Sequence, residues 1–227
     1  MQSVAVPVRI EIWSDVVCPW CYVGKARFDR AVAEAAEDGI LVDAVYRSFE
    51  LDTRVPTEGE ALEPYLARKF GSIGAVRSMR TRLAEAGRDT GISFRWDAMQ
   101  RRNSFDAHRL LVWALRHGAT RQAALAERLF RAYFTDGLDI ADHGVLARLA
   151  AEVGLDHDLA AETLATGDGA DVVRAEEARA HENGIAAVPS FVIESQWMLQ
   201  GAHDVAAWRR ALGRISSELA QQSPAGS

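Results

Sequence analysis

Trp13-Ser14-Asp15-Val16-Val17-Cys18-Pro19-Trp20-Cys21-Tyr22 is the stretch from which the rest of this chain is read. It holds the only two cysteines of the protein, spaced Cys-x-x-Cys, where an apolar strand-like run from Val8 to Trp13 gives way to a helix-like run from Pro19. Pro19 suits the first position of a helix, since its fixed φ fits there and its missing N–H would have had no intrahelical partner. Cys18 then falls at the N-cap, where unpaired backbone N–H groups and the positive end of the helix dipole favour thiolate over thiol. Cys21, three residues on, lies on the same helical face and within reach of Cys18. The spacing predicts a redox dithiol in which the outer sulfur, Cys18, attacks and the inner one, Cys21, displaces what it captures.

Three other readings of the pair stay open at the level of sequence. A structural disulfide would close too short a loop to stabilise much under the loop-entropy model. Half of a zinc site would need two more ligands from His108, His117, His143, His157, His181 or His203, none of which shows paired His-x3-5-His spacing. Two unreactive buried cysteines would simply pack as small apolar residues.

At 227 residues the chain is long for one minimal domain and short for two, which predicts one domain with a large insertion. Its 48% apolar content and six tryptophans suit a well-packed globule that needs no disulfide or metal for support. The formal charge of −6 argues against a nucleic-acid partner. Between Arg68 and Arg116, however, eleven basic residues stand against four acidic ones, either as a solvated helical surface or as a rim for an anionic substrate. Met1 to Pro7 has no basic start and no apolar core of a secretory signal. The uncharged run from Asn183 to Ile193 falls far short of the ~18 apolar residues of a membrane helix. A cytoplasmic protein with no membrane contact is expected, and in a reducing compartment two cysteines are more often catalytic than structural.

Along the chain, alternation at Val8, Ile10 and Ile12 predicts a strand, and Pro19 to Asp38 a helix. Ile40 to Phe49, β-rich and apolar on both faces, reads as a central strand. The strand pattern then vanishes for over a hundred residues. Helices are expected from Leu62 to Ala86 with a break at Gly71 and Gly74, then from Asn103 or Ser104, Thr120, Asp142, Asp156 and Asp168 onward. Strand character returns at Ser190 to Ile193 and Trp197 to Leu199, a hairpin, followed by a final helix opened by Asp204 and carrying Val205, Trp208, Leu212, Ile215 and Leu219 on one side. The predicted organisation is residues 1–55 as a βαβ unit, 56–183 as a mainly α-helical insertion, 184–220 as a ββα unit, and 221–227 as a disordered tail.

A βαβ and a ββα unit enclosing a helical block, with Val188-Pro189-Ser190 just before the third strand, resembles an α/β thioredoxin-like fold with a large inserted α-helical domain. More specifically, Ser14-Asp15-Val16-Val17-Cys18-Pro19-Trp20-Cys21-Tyr22-Val23-Gly24, Phe49-Glu50-Leu51, Asn103-Ser104-Phe105-Asp106-Ala107-His108-Arg109-Leu110, Leu129-Phe130-Arg131-Ala132-Tyr133-Phe134 and Gly184 to Ile193 are similar to the DsbA-like thiol-disulfide oxidoreductases, within them the cytosolic group named after the frenolicin-biosynthesis protein. That resemblance implies a cis Val188-Pro189 bond facing Cys18, with the Val188 backbone N–H and C=O available to an extended substrate. It implies disulfide exchange through Cys18 and Cys21, with Pro19, Trp20, Val188 and Pro189 around the substrate, no metal or organic cofactor, and protein or small-molecule thiols and disulfides as partners. A homodimer is compatible with it. Asp15 is a candidate for proton handling or an ordinary strand-end cap, His108 for lining the cleft or filling the core, and Asn103 for an N-cap or a substrate contact. The sister groups of 2-hydroxychromene-2-carboxylate isomerases and kappa-type glutathione transferases offer a rival, with glutathione as co-substrate and Arg101-Arg102-Asn103 as an anion site. A non-redox zinc- or peptide-binding module is a rival of a different kind.

Overall fold

The computed structural model describes residues 6–56 and 58–222. Strand β1 (Val8–Ser14), helix α1 (Pro19–Glu37) and strand β2 (Val42–Ser48) form the first unit, with β1 and β2 parallel and in register from Val8 opposite Val42 to Ser14 opposite Ser48. Helix α1 ends because Gly39 takes φ 78°, a left-handed conformation that glycine adopts without a Cβ penalty. The last unit is the hairpin β5 (Ser190–Ile193) and β6 (Trp197–Gln200), followed by helix α9 (Val205–Gln222). β5 runs antiparallel to β1, with Ile12 opposite Phe191, so the sheet order is β2-β1-β5-β6.

The strand period sorts side chains onto two faces. Phe191 on β5, Phe28 on α1 and Trp208 on α9 pack ring against ring, with centroids 4.6 to 5.4 Å apart, so α1 and α9 share one face of the sheet. Trp13 and Val192 point the other way, with Ala180 of helix α8 (Ala170–Glu182) and Ile185. Asp204 caps α9, its carboxylate accepting the Ala207 N–H at 2.7 Å.

Between the units lie a two-residue strand pair, β3 (Glu60–Ala61) with β4 (Gln100–Arg101), and helices α2 (Leu62–Phe70), α3 (Ile73–Thr90), α4 (Phe105–Leu115), α5 (Ala119–Arg131), α6 (His143–Glu152) and α7 (His157–Thr166), ahead of α8. Their ends follow local chemistry. Asp142 and Asp156 accept N–H groups of the first turns of α6 and α7, and Gly71 and Gly91 close α2 and α3 in the left-handed region. α5 leads into a π-helical turn, Ala132–Asp136. Among the described residues no helix is long and apolar enough to cross a membrane.

Four expectations are corrected. β2 is an edge strand, not a central one: side chains of the inserted helices take the backbone groups another strand would have taken. Gln122 of α5 accepts the Tyr46 N–H at 2.8 Å and donates to the Tyr46 carbonyl at 3.0 Å, and Glu176 of α8 accepts the Ser48 N–H at 2.8 Å. The small β3–β4 pair carried no sequence pattern, because two residues are too few for a period. The helical break falls at Gly71 and Ser72 alone, with Gly74 inside α3. The last helix runs through Gln222, two residues into the segment expected to be disordered, and residues 223–227 lie outside the described residues.

Candidate functional site

Cys18 occupies the N-cap of α1 at φ −93°, ψ 112°, with Pro19 at the first helical position. Its carbonyl accepts the Cys21 N–H at 3.0 Å and the Tyr22 N–H at 3.2 Å, and its own N–H donates to the Asp15 carbonyl at 3.0 Å, so the nucleophile turn is held from both sides. Both cysteines are free thiols and both are buried. The expected capping bond to sulfur is not made: a protonated thiol is a donor, and Cys18 Sγ lies 3.7 Å from the Val188 carbonyl, to which it donates. Val188-Pro189 is cis, as the resemblance implied, but the Val188 carbonyl is engaged by the thiol rather than left open. Burial pushes the Cys21 thiol well above its ordinary range, the neighbouring Cys18 adds to the rise, and Ser14 and the Asp15 backbone oppose it. Cys21 therefore stays protonated while Cys18 is unbonded to substrate.

On one side of the turn opens a cavity of about 330 Å³. Cys18, Pro19, Trp20 and Val188 form its sheet-side wall, and Tyr65, Met79, Trp96 and Met99 face them from the insertion. The π-helical turn brings Tyr133 and Phe134 into the same wall, a use often found for such turns. Tyr133 Oη donates to the Gln100 carbonyl at 2.8 Å, and the Phe134 carbonyl accepts the Arg95 N–H at 2.9 Å, which ties the turn to the β4 region. Beneath it Tyr22 of α1 stacks on Phe130 and Phe134 at 5.3 and 5.9 Å, joining helix α1 to the insertion.

The other side is polar. Asp15 is 1% exposed, and its carboxylate accepts the Val17 N–H at 3.2 Å and the Leu51 N–H at 2.7 Å. His108 Nε2 of α4 stands 3.4 Å from Asp15 Oδ1, an ion-pair contact outside hydrogen-bond geometry. Burial alone would lower the His108 imidazolium, but Asp15, then Glu50 and Glu177, outweigh it and hold it above its ordinary range. Glu50 is pushed up to about 7, first by burial and next by the Glu177 charge. One Glu50 oxygen pairs with Arg174 at 2.7 Å, while the other is buried without a hydrogen-bond partner among the described residues. Arg174 also pairs with Glu177 at 2.8 Å.

The structure thus brings Cys18, Cys21, Pro19, Trp20, Val188 and Pro189 together. Asp15 and His108 pair with each other behind the turn, and neither lines the cavity; the cleft-lining alternative for His108 is replaced by a buried ionic one. The α4 N-cap is Ser104 and not Asn103 as expected: Asn103 stands one residue earlier, where its side-chain carbonyl oxygen accepts the Phe105 N–H at 2.8 Å, and it is absent from the cavity wall. Arg101 and Arg102 do line the cavity, but their charges are committed. Arg101 is clamped between Asp52 and Glu60 over the Tyr65 ring, and Arg102 pairs with Asp139 at 3.0 Å. Among the described residues no three His, Cys, Asp or Glu side chains converge as a metal ion would require.

Glu50 and Gly24 stand in stretches that carry the family resemblance, but the sequence assigned neither a role. A lone acid between Phe49 and Leu51 was the available signal for the first. Gly24, inside a helix where glycine is costly, was the signal for the second: a Cβ there would stand 3.0 Å from Pro189 Cγ, so its absence lets the Pro189 loop close on α1.

A family model for the DSBA-like thioredoxin domain matches residues 9–213. A Bacillus subtilis (strain 168) protein, YwbO, whose function is uncharacterized, is 30% identical over 192 residues, which are 82% of this chain and 86% of that one. A probable DsbA oxidoreductase from Streptomyces coelicolor superposes with a TM-score of 0.84 at 33% identity, covering 97% of this chain and 93% of the other. A 2-hydroxychromene-2-carboxylate isomerase shares the fold at 14% identity and a TM-score of 0.69, over 95% of this chain and 99% of that one. With its cysteine pair near one another at the head of α1, this chain belongs to the DSBA-like thioredoxin domain family, an α/β thioredoxin-like fold with extra helices inserted.

Proposed function

We propose that the protein is a thiol-disulfide oxidoreductase working through Cys18 and Cys21. The observation that carries this reading is the position of the Cys18 sulfur, at the N-cap of α1, within contact of the Val188 carbonyl, and on the wall of a cavity large enough for substrate. In the reducing direction the Cys18 thiolate attacks one sulfur of a substrate disulfide. The substrate S–S bond breaks, a mixed disulfide forms on Cys18, and the first substrate thiolate leaves. Cys21 then gives up its proton and attacks the Cys18 sulfur, forming the Cys18–Cys21 disulfide and releasing the second thiolate. Two electrons pass to the substrate, and the oxidising direction is the reverse.

The raised Cys21 thiol suits this order, since burial keeps it protonated and unreactive until the Cys18 sulfur has been captured in the mixed disulfide. The paired guanidinium groups of Arg101 and Arg102 give no support to a glutathione carboxylate site there, and the two cysteines together serve exchange rather than glutathione activation. A cytoplasmic location goes with this reading, since in a reducing compartment two cysteines are more often catalytic than structural.

Equilibration in glutathione redox buffers followed by thiol trapping and intact-mass measurement tests the reading independently of substrate. The native protein is expected to interconvert cooperatively between dithiol and internal disulfide, and Cys21→Ala to accumulate a mixed disulfide on Cys18. A pair that stays reduced at every buffer ratio overturns it.

A further inference from the structure

The inserted helices do more than cover the sheet: they enclose the side of Cys18 from which a substrate must come. Only 4% of Cys18 is exposed, and it lies on the wall of the 330 Å³ cavity. That volume is at the small end of the roughly 300–1,000 Å³ of small-molecule sites. The wall is mainly apolar, and Tyr65, Met79, Trp96, Met99, Tyr133 and Phe134 are its aromatic and thioether side chains on the insertion side.

Charge at the cavity is one-sided. Among the described residues its only acid is Asp52, already clamped by Arg101 and contacted by Arg54. Lys69 of α2 and Arg82 of α3 also line it, and neither has a carboxylate partner among the described residues; Lys69 stands 5.5 Å over the Tyr65 ring. Of the basic excess between Arg68 and Arg116, these two charges are the ones that reach the cavity uncompensated.

Building on the redox reading of Cys18 and Cys21, we propose that the preferred substrate is a compact disulfide whose one half is aromatic and carries a carboxylate. Its ring sits between Tyr65, Trp96 and Met99, its carboxylate meets Lys69 and Arg82, and its sulfur reaches Cys18. The reduced enzyme gives two electrons to this disulfide: its S–S bond breaks, two substrate thiols leave with the protons of Cys18 and Cys21, and the Cys18–Cys21 disulfide forms. A dithiol reductant restores the enzyme.

Three disulfides test this with the pre-reduced protein in single turnover: dithiobis(nitrobenzoic acid), aromatic and anionic; dithiodipyridine, aromatic and neutral; and oxidised glutathione, anionic and polar. Each rate is divided by the rate of the same disulfide with free cysteine, which removes its intrinsic reactivity. The native protein is expected to prefer dithiobis(nitrobenzoic acid). In Lys69→Ala/Arg82→Ala its rate relative to dithiodipyridine should fall by about 2- to 30-fold, the span of two exposed charge contacts. Lys69→Arg/Arg82→Lys should restore the ratio, and high salt should erase the difference between native and Ala variant.

An unchanged ratio in the Ala variant, or a normalised preference for oxidised glutathione, overturns the substrate assignment while leaving the redox reading in place. If none of the three disulfides converts Cys18 and Cys21 to their internal disulfide, the redox reading itself fails.

Discussion

The two sides of the Cys18–Cys21 turn are built from opposite materials. Toward the insertion, Cys18 faces a cavity with aromatic rings in its wall and with Lys69 and Arg82, cations that have no carboxylate partner among the described residues. Away from it, the buried Asp15, His108 and Glu50 lead to the half-buried Glu177 and the exposed Arg174, a chain of ionisable groups none of which lines the cavity. The difference separates two tasks. An apolar space admits a ligand at little desolvation cost, whereas buried charges each need a partner, and Asp15 uses its carboxylate to hold the Val17 and Leu51 N–H groups beside Cys18 in place.

The largest effect should come from breaking the cavity side at its reactive atom. Cys18→Ala is expected to lower disulfide exchange by at least about three orders of magnitude, as loss of a nucleophile does elsewhere. Cys21→Ala should instead leave the first exchange step intact and arrest the reaction at the mixed disulfide, seen by intact mass. Equal turnover in both variants and the native protein would remove the basis for the comparison.

On the polar side, His108→Ala leaves Asp15 buried with only its two backbone N–H donors. A loss of about 1–3 kcal/mol in urea unfolding is expected, and an unchanged midpoint would show that the 3.4 Å contact contributes nothing.

Glu50 and His108 both bind protons more tightly folded than unfolded. Glu50 rises from an ordinary 4.5 to about 7, and His108 rises above 6.5. Their stabilising contribution is therefore complete at low pH and is lost as pH climbs through the folded values, which for Glu50 means near 7. Glu50→Gln should narrow the drop in melting temperature between about pH 5 and 8 by about 2–4 °C. A drop as large as in the native protein would place that titration elsewhere.

The smallest effect sharpens where the two sides meet. In Gly24→Ala the new Cβ at 3.0 Å from Pro189 Cγ must push the loop by a few tenths of an ångström. Exchange should slow a few-fold, since misplacement of about 1 Å can cost about 10²-fold. Stability should not fall in parallel, because alanine is favoured over glycine in a helix by about 1 kcal/mol. Parallel losses would show that Gly24 matters for packing and not for the site.

Much of this was legible before any coordinates. Cys-Pro-Trp-Cys at a strand-to-helix junction, the helix starts at Asp142, Asp156 and Asp204, the stops at Gly39 and Gly71, and the hairpin after Pro189 all depend on a few neighbouring residues, and such signals survive in the linear order. Asp15 and His108 were visible as candidates, but not as partners, since 93 residues separate them in the chain.

What the sequence determined alone is therefore the chemistry of the turn and the order of the elements, both set by local backbone preferences and hydrophobic period. The tertiary structure decided which strand ends the sheet, because Gln122 and Glu176 satisfy β2 from distant helices. It also decided which cavity cations have no carboxylate partner among the described residues, Lys69 and Arg82 rather than Arg101 and Arg102. A periodic pattern reports that a side chain is buried or charged, while its partner is set by folding segments far apart in sequence against one another.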